Sequence, residues 1–321
     1  IDSKVAYLED KFKLIYRDEK VDDSVDECRL LCKTVVSAIS PGTEVAAYTG
    51  MSPLRPGNAY PRLVGYCNVS EIIKVGEGSR YNIGERVLTF QSHRQFFNID
   101  ESEVLAKIPD GVSNKSAACA YLYHLGYDAI LKSQVKLGTP VVVIGLGALG
   151  LGSVAMASLA GGVVYAVSDY RKTAEIAKNL GAKNVFTRKQ LPQLLKLLGD
   201  RLSDVVITTS GSWEDWNSAL KIAGQNGRIA VIGFPGRSVP PPKKNPFDSQ
   251  YFYMKQLLVQ AVGWSPENND SRRFHNFNEK TNLDFILNQI EQKVLNPNKL
   301  ISGVYLWSDL DRAYQDIASR V

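Results

Sequence analysis

The sequence holds few residues that carry chemistry on their own, with 3 histidines and 4 cysteines in 321 residues. Cys28, Cys32, Cys67 and Cys119 are too few and too irregularly spaced for a secreted disulfide framework, so a reduced, cytoplasmic setting is expected. No apolar run approaches the roughly 18 residues of a membrane span. No signal-peptide pattern opens the chain as given, which starts at Ile1 without Met. There is no basic run with interleaved aromatics, and a formal net charge of +5 is mild for this length. Nucleic acid and membranes are therefore not expected partners. The chain also lacks the charge excess and apolar poverty of disorder, at 44% hydrophobic and 22% charged. No internal repeat is visible, and the length suits two domains that each bury a core.

What is present is organised around residues 141–150. Val141, Val142, Val143 and Ile144 run directly into Gly145, Leu146, Gly147, Ala148, Leu149 and Gly150, and an apolar segment continues to about 160. A hydrophobic strand, a glycine turn and a helix N-terminus form the arrangement that binds a dinucleotide pyrophosphate. The first glycine permits the tight turn, the second lets backbone approach phosphate, and the third lets helix pack on strand. Alone, this spacing also fits a purely structural turn. The context adds a second strand over 163–167 and a polar cluster at its end, Ser168, Asp169, Tyr170, Arg171 and Lys172. That cluster lies where the fingerprint places its ribose-reading group.

Residues 1–110 read as β-rich: a hairpin around Glu9, Asp10 and Lys11, a strand over 28–39 ended by Ser40-Pro41-Gly42, and strands over 69–75 and 84–90. Gly and Pro between them suggest a small barrel-like β domain. Residues 113–133 have helical spacing, enough for one helix or two. Strands and helices then alternate, with strands at 141–144, 163–167, 185–186, 204–209, 228–233 and 257–262, which implies a parallel doubly wound sheet. Residues 239–246 form a stiff, exposed, proline-rich connector. Amphipathic helices are expected over 283–294 and 310–318.

This order of parts resembles the medium-chain dehydrogenase/reductase superfamily. Matching stretches are 60–66, 75–78, 84–87, 105–110, 141–150, 179–182 and 307–314. The resemblance implies an α/β chain with a GroES-like β-rich domain and a Rossmann doubly wound parallel sheet. The GroES-like substrate domain would take 1–124, completed by 265–321, and the dinucleotide-binding domain 125–264. Catalysis would lie in a cleft between the two. A homodimer is expected from the same resemblance and from the edge strand near 257–262.

The sequence departs from the zinc-dependent members. Pro41 stands where they keep a catalytic Cys, two residues before a Ser/Thr represented here by Thr43. Their Gly-His-Glu reads Gly65-Tyr66-Cys67, and the segment Leu88 to His93 has no structural-zinc cysteines. A lone Cys67 lacks the partners zinc needs, so no metal is expected. Hydrogen-bond donors and a proton carrier would then serve the substrate oxygen. The segment Ser37-Ala-Ile-Ser-Pro-Gly-Thr-Glu44 is similar to one in bacteriochlorophyllide dehydrogenase-like proteins. Quinone and enoyl reductases, the other zinc-free branch, usually carry Asn-Pro where Ser40-Pro41 stands.

Each candidate residue has a bland alternative. Thr43 falls where the superfamily keeps a proton-relay hydroxyl, but Thr43 and Glu44 also suit a helix cap. Tyr48 is one helical turn from Glu44 and is equally a core tyrosine. His93 is expected near the cleft mouth, as a proton carrier or as a surface histidine. His124, Tyr123 and the neighbouring Tyr121 and Tyr127 belong to a helix that lines the nicotinamide cleft in the superfamily, so His124 or a tyrosine is a candidate acid. His275 reads as exposed in a polar loop.

For the cofactor, Ser168 occupies the place of the NAD-selecting Asp, and Arg171 and Lys172 behind it would welcome a 2′-phosphate. NADP(H) is favoured on that ground. Asp169 could instead take the NAD role, and the basic pair could be a solvated helix turn. Gly145, Gly147, Ala148, Leu149 and Gly150 would hold the pyrophosphate. By resemblance, Ser210, Gly211, Gly233 and Phe234 would orient the carboxamide. The expected activity is hydride transfer that interconverts a hydroxyl and a carbonyl on a fairly bulky small-molecule metabolite in a biosynthetic pathway. Reduction of an activated C=C bond is the alternative enzyme, and a non-catalytic nucleotide-binding scaffold or sensor the alternative of another class.

Overall fold

The computed structural model describes residues 1–54, 56–243, 245–247, 249–266 and 277–319. The chain divides into two units, Ile1–Tyr121 with Pro266–Val321, and Leu122–Ser265. His275 and the polar loop reading around it lie outside the described residues.

The first unit carries β1 (Asp2–Asp10), β2 (Lys13–Lys20), β3 (Arg29–Ala38), β4 (Arg62–Leu63), β5 (Cys67–Val75), β6 (Arg86–Thr89), β7 (Phe96–Asp100) and β8 (Val104–Lys107). Asp10 pairs with Lys13 to close the first hairpin, and Phe12 takes φ 57° in its turn. Two antiparallel sheets result, ordered β2-β1-β4 and β7-β3-β5-β6-β8. Leu30, Cys32, Ile72, Val87, Phe97, Ile99 and Val104 form the core of the second. A second apolar cluster joins Ala6 and Leu8 of β1 to Tyr48 and to Leu310 and Tyr314 of the helix Leu310–Ala318. This helix brings the end of the chain onto the first strands. The helical stretch expected over 113–133 is two helices, Asn114–Ala118 and Ala120–Ser133, and the helix expected over 283–294 starts earlier, at Glu279–Glu291.

The second unit carries β9 (Pro140–Ile144), β10 (Val163–Val167), β11 (Asn184–Phe186), β12 (Ser203–Thr208), β13 (Ala223–Val231) and β14 (Leu258–Ala261). All neighbouring pairs in this sheet are parallel, in the order β11-β10-β9-β12-β13-β14. Taking β9 as first, that is the 3-2-1-4-5-6 order of a doubly wound dinucleotide-binding sheet. β9 is buried along Val141 to Ile144, as a central strand covered on both faces should be. The fold class is thus the expected one, a Rossmann sheet together with antiparallel GroES-like sheets.

Two helices of this unit meet through glycine. A Cβ on Gly126 would lie 2.9 Å from the Ser153 backbone nitrogen, so the helix Ala120–Ser133 rests almost directly on the helix Ala148–Leu159. Fully buried Tyr123 packs nearby, beside Gly152.

Candidate functional site

The glycine turn has three glycines with three different physical reasons. Gly145 takes φ +90°, where L side chains rarely go, and a Cβ there would meet Thr209 Oγ1 at 2.8 Å. A Cβ on Gly150 would lie 1.9 Å from the Gly145 carbonyl oxygen. Gly147 differs from both. Its φ of −74° suits any residue, and an added Cβ would meet nothing within 4 Å. No packing inside the protein explains why it is glycine. No side chain caps the helix Ala148–Leu159 either, so its first N–H groups are left to an external acceptor. A bare backbone beside open space, at an uncapped helix N-terminus, fits a dinucleotide pyrophosphate. Ala148, Leu149 and Gly150 form that first turn.

Thr209, just past β12, ties this turn to its neighbour. Its hydroxyl donates to the Gly145 carbonyl at 3.0 Å. A Cβ on Gly233 would lie 2.3 Å from the Thr209 carbonyl, so the ends of β12 and β13 approach as closely as backbone allows. Ser210 turns its hydroxyl inward to accept the Ser212 N–H at 3.1 Å, and Gly211 accepts the Gly236 N–H at 3.0 Å. Phe234 is exposed, with the Arg237 guanidinium 4.8 Å above its ring.

At the end of β10, Ser168 is buried, its hydroxyl accepting the Tyr170 N–H at 3.2 Å. Arg171 is exposed across 93% of its side chain and pairs with Glu175 one helical turn on. Lys172 is exposed as well. The basic pair expected to hold a phosphate is thus a solvated helix face in this structure.

The cation that is built in is Arg188, just after β11. It donates through Nε and Nη2 to both oxygens of Asp215, each at 2.7 Å, and through Nη1 to Asp169 at 2.6 Å. Asp215 is fully buried, in the first turn of the helix Trp213–Ile222. Asp169 also accepts the Arg188 backbone N–H at 2.9 Å, and these bonds hold its carboxyl below the usual range. Sequence reasoning missed Arg188 because its two partners, Asp169 and Asp215, lie far from it in the chain, one after β10 and one in the helix Trp213–Ile222. The Thr187-Arg188-Lys189 run at a strand end was the only available signal.

The first unit holds a buried polar cluster. Pro41–Val45 forms a π-helical turn leading into the short helix Ala46–Thr49. Glu44, 3% exposed, accepts the Ser40 N–H at 2.7 Å, the Tyr314 hydroxyl, and His93 Nε2 at 3.0 Å. His93 Nδ1 lies 2.6 Å from Ser37 Oγ. Both ring nitrogens of His93 are thus engaged, with donor and acceptor roles set by the tautomer. Burial, then the Glu44 carboxylate, push the Tyr314 phenol well above its ordinary range. His93 is 1% exposed, so the placement at a cleft mouth is corrected. A Cβ on Gly65 would strike the His93 ring at 2.7 Å, which is why this position is glycine.

Thr43 is half-buried, and among the described residues its hydroxyl has no protein partner. Tyr48 is a core residue whose hydroxyl reaches Asp311 at 3.3 Å. In the second unit, His124 is fully buried and Nε2–H donates to Ser265 Oγ at 3.0 Å, since the Ser265 proton goes to Asp128 at 3.1 Å. Burial pushes the His124 imidazole down to about 4. At neutral pH the ring is uncharged.

The positions that zinc would need offer a poor donor set. Pro41 has no ligating atom, and Cys67 is fully buried within β5. Tyr66 stacks on Phe90 at 5.2 Å and meets the edge of Tyr121 at 5.8 Å. An aromatic trio thus fills the place of the Gly-His-Glu ligands. Among the described residues, no three His, Cys, Asp or Glu gather to hold a metal ion. These residues do not fit a tetrahedral zinc site.

Residues 148–279 match the family model for zinc-binding dehydrogenases, a stretch that excludes positions 41, 66 and 67. An uncharacterised zinc-type alcohol dehydrogenase-like protein of Haemophilus influenzae is 24% identical over 63% of this chain and 68% of its own. D-guloside 3-dehydrogenase of Escherichia coli is 29% identical over 60% of this chain and 63% of its own. The alignments thus span about two thirds of these relatives. Among solved structures, an Escherichia coli oxidoreductase/dehydrogenase of unknown specificity involved in membrane biogenesis superposes with a TM-score of 0.83. It is 17% identical, over 100% of this chain and 96% of that one. Residues 148–279 are thus similar to zinc-type dehydrogenases, and the superposition shows the shared fold.

Proposed function

We propose that this protein is a zinc-independent, NADP(H)-dependent oxidoreductase that interconverts a hydroxyl and a carbonyl on a sugar-like or similarly bulky metabolite in a biosynthetic pathway. The observation that carries the reading is Gly147, bare backbone facing open space at an uncapped helix N-terminus. The relative named for a D-guloside supports the substrate class. The nicotinamide, when bound, supplies or accepts the hydride. Gly145 and Gly150 shape the turn, and the first N–H groups of the helix Ala148–Leu159 hold the pyrophosphate. Ser210, Gly211, Gly233 and Phe234 border the strand ends where the carboxamide is to be oriented. Thr43 has an uncommitted hydroxyl on a turn fixed by buried Glu44, and is assigned the proton at the substrate oxygen. We also take it to be a cytoplasmic homodimer. No helix among the described residues is long and apolar enough to cross a membrane. The aromatic surroundings of Tyr66 also suit a conjugated substrate, so reduction of an activated C=C bond is the second reading.

The test is nicotinamide absorbance on a panel of glycosides, polyols, ketoses and enones, using chelator-dialysed protein whose zinc content is measured. Turnover of a hydroxyl or carbonyl substrate without zinc is the expected result. Activity that returns only with one equivalent of zinc sinks the metal-free part. Bound nucleotide with no turnover of any substrate turns the reading toward a scaffold or sensor.

A further inference from the structure

The ion-pair bridge past β11 points beyond general dinucleotide binding. Ser168, just past β10, donates its N–H to the Phe186 carbonyl of β11 at 2.9 Å, so the loops after β10 and β11 are neighbours. Arg188 springs from the second of these loops and reaches the helix that follows β12. It therefore spans the carboxyl ends of the strands, where open α/β sheets take their ligands. Its orientation is fixed. Fully buried Asp215 grips the Nε and Nη2 edge with two parallel bonds, which rotation of the side chain would break. The side chain as a whole is 29% exposed, and its opposite end touches Asp169, itself 47% exposed. A guanidinium has five N–H donors, and those not engaged by the two carboxylates remain for an anion.

We propose that Arg188, held by Asp215, is the residue that selects the phosphorylated cofactor, taking the 2′-phosphate of NADP(H) at the end it now offers to Asp169. The assignment rests on the dinucleotide-binding reading above and replaces Arg171 and Lys172 as its phosphate-binding group. Asp169, which would otherwise repel a 2′-phosphate and accept from a ribose hydroxyl, has both oxygens engaged by Arg188. The single charge of Arg188 is shared between Asp169 and Asp215, so a 2′-phosphate has to displace Asp169 from Nη1. Asp215 is a positioning residue, since it acts through the guanidinium.

The test is fluorescence titration of the intact protein with NADPH and NADH, for wild type, Arg188→Gln, Arg188→Lys, Asp169→Asn and the Arg171→Ala/Lys172→Ala pair. Melting temperatures report folding in each case. Arg188→Gln should weaken NADPH about 10- to 100-fold, the range of a charge-assisted contact, and NADH less than about threefold. Arg188→Lys keeps the charge and loses the fork, so a smaller selective loss of NADPH is expected. It carries the test if burial of unpaired Asp215 prevents Arg188→Gln from folding. Asp169→Asn should leave NADH binding intact, and the Arg171/Lys172 pair should leave the preference unchanged. Equal loss of both nucleotides in folded Arg188 variants overturns the assignment and leaves the proposed function standing. Loss of NADH binding in Asp169→Asn also overturns it, by making Asp169 the ribose acceptor. Failure of the wild type to bind either nucleotide removes the proposed function itself, and this inference with it.

Discussion

The glycine turn of the second unit and the Glu44 cluster of the first are built on opposite plans. Gly145, Gly147 and Gly150 act through backbone that lies within six consecutive residues. Glu44, His93 and Tyr314 act through side chains, and the Tyr314 to Glu44 bond joins residues 270 positions apart. One site is open, with a glycine that no protein atom requires. The other is closed, with a buried carboxylate that its neighbours fully engage. The open site is shaped for a ligand, whereas the closed one holds the chain end and the Thr43 turn in place.

Variants at the two places should separate stability from binding. Glu44→Gln is expected to have the largest effect, costing about 3–5 kcal/mol because the amide leaves two or more of the buried donors Ser40 N–H, Tyr314 hydroxyl and His93 Nε2 without an acceptor. Denaturant unfolding measures it, and nucleotide affinity of the remaining folded protein should hold. Gly150→Ala comes next, at about 3 kcal/mol, because its Cβ would meet backbone that cannot step aside. Here stability and nucleotide binding should fall together. Tyr314→Phe should cost about 1–2 kcal/mol, the worth of a buried hydrogen bond to a charge, and leave nucleotide binding unchanged. A loss of NADPH affinity in Tyr314→Phe, without unfolding, would break the division of labour.

His124 supplies a pH signature for the second unit. Its folded pKa of about 4 lies below the ordinary 6.5, so on acidification the unfolded chain takes up the proton first. The stability contribution is complete above about pH 6.5 and is lost as pH falls toward 4, amounting to about 3 kcal/mol at the acid end. Unfolding free energies followed from pH 7 to pH 4 should show that loss, and His124→Gln should flatten it. An unchanged profile in the variant would mean that other groups carry the acid sensitivity.

The same contrast explains what was legible in the sequence. β9, its glycine turn and the alternation after it are local patterns, and each strand there appears within a few residues of its expected place. The helix Leu310–Ala318 was equally plain from its spacing. Glu44 was noticed merely as the residue after Thr43, because its meaning depends on Tyr314 and His93. A lone carboxylate before Val45, Ala46 and Ala47 was the one hint that it would be buried and need partners. His93 looked like a surface or mouth residue for the same reason. Arg171 and Lys172 are legible as a basic pair, whereas the Glu175 partner of Arg171 is visible in the structure alone. Arg188 became visible once Asp169 and Asp215 were brought beside it.

Gly147→Ala gives the most direct test of the central claim, because the protein offers no reason of its own for that glycine. Stability should change by no more than about 1 kcal/mol, the cost of Ala for Gly at a helix N-cap, since the added methyl meets no protein atom. Titrated with NADPH beside the wild type, the variant should bind at least about tenfold more weakly while remaining folded. Equal NADPH affinity in wild type and Gly147→Ala, or no binding by either, would contradict the assignment of this turn to a dinucleotide.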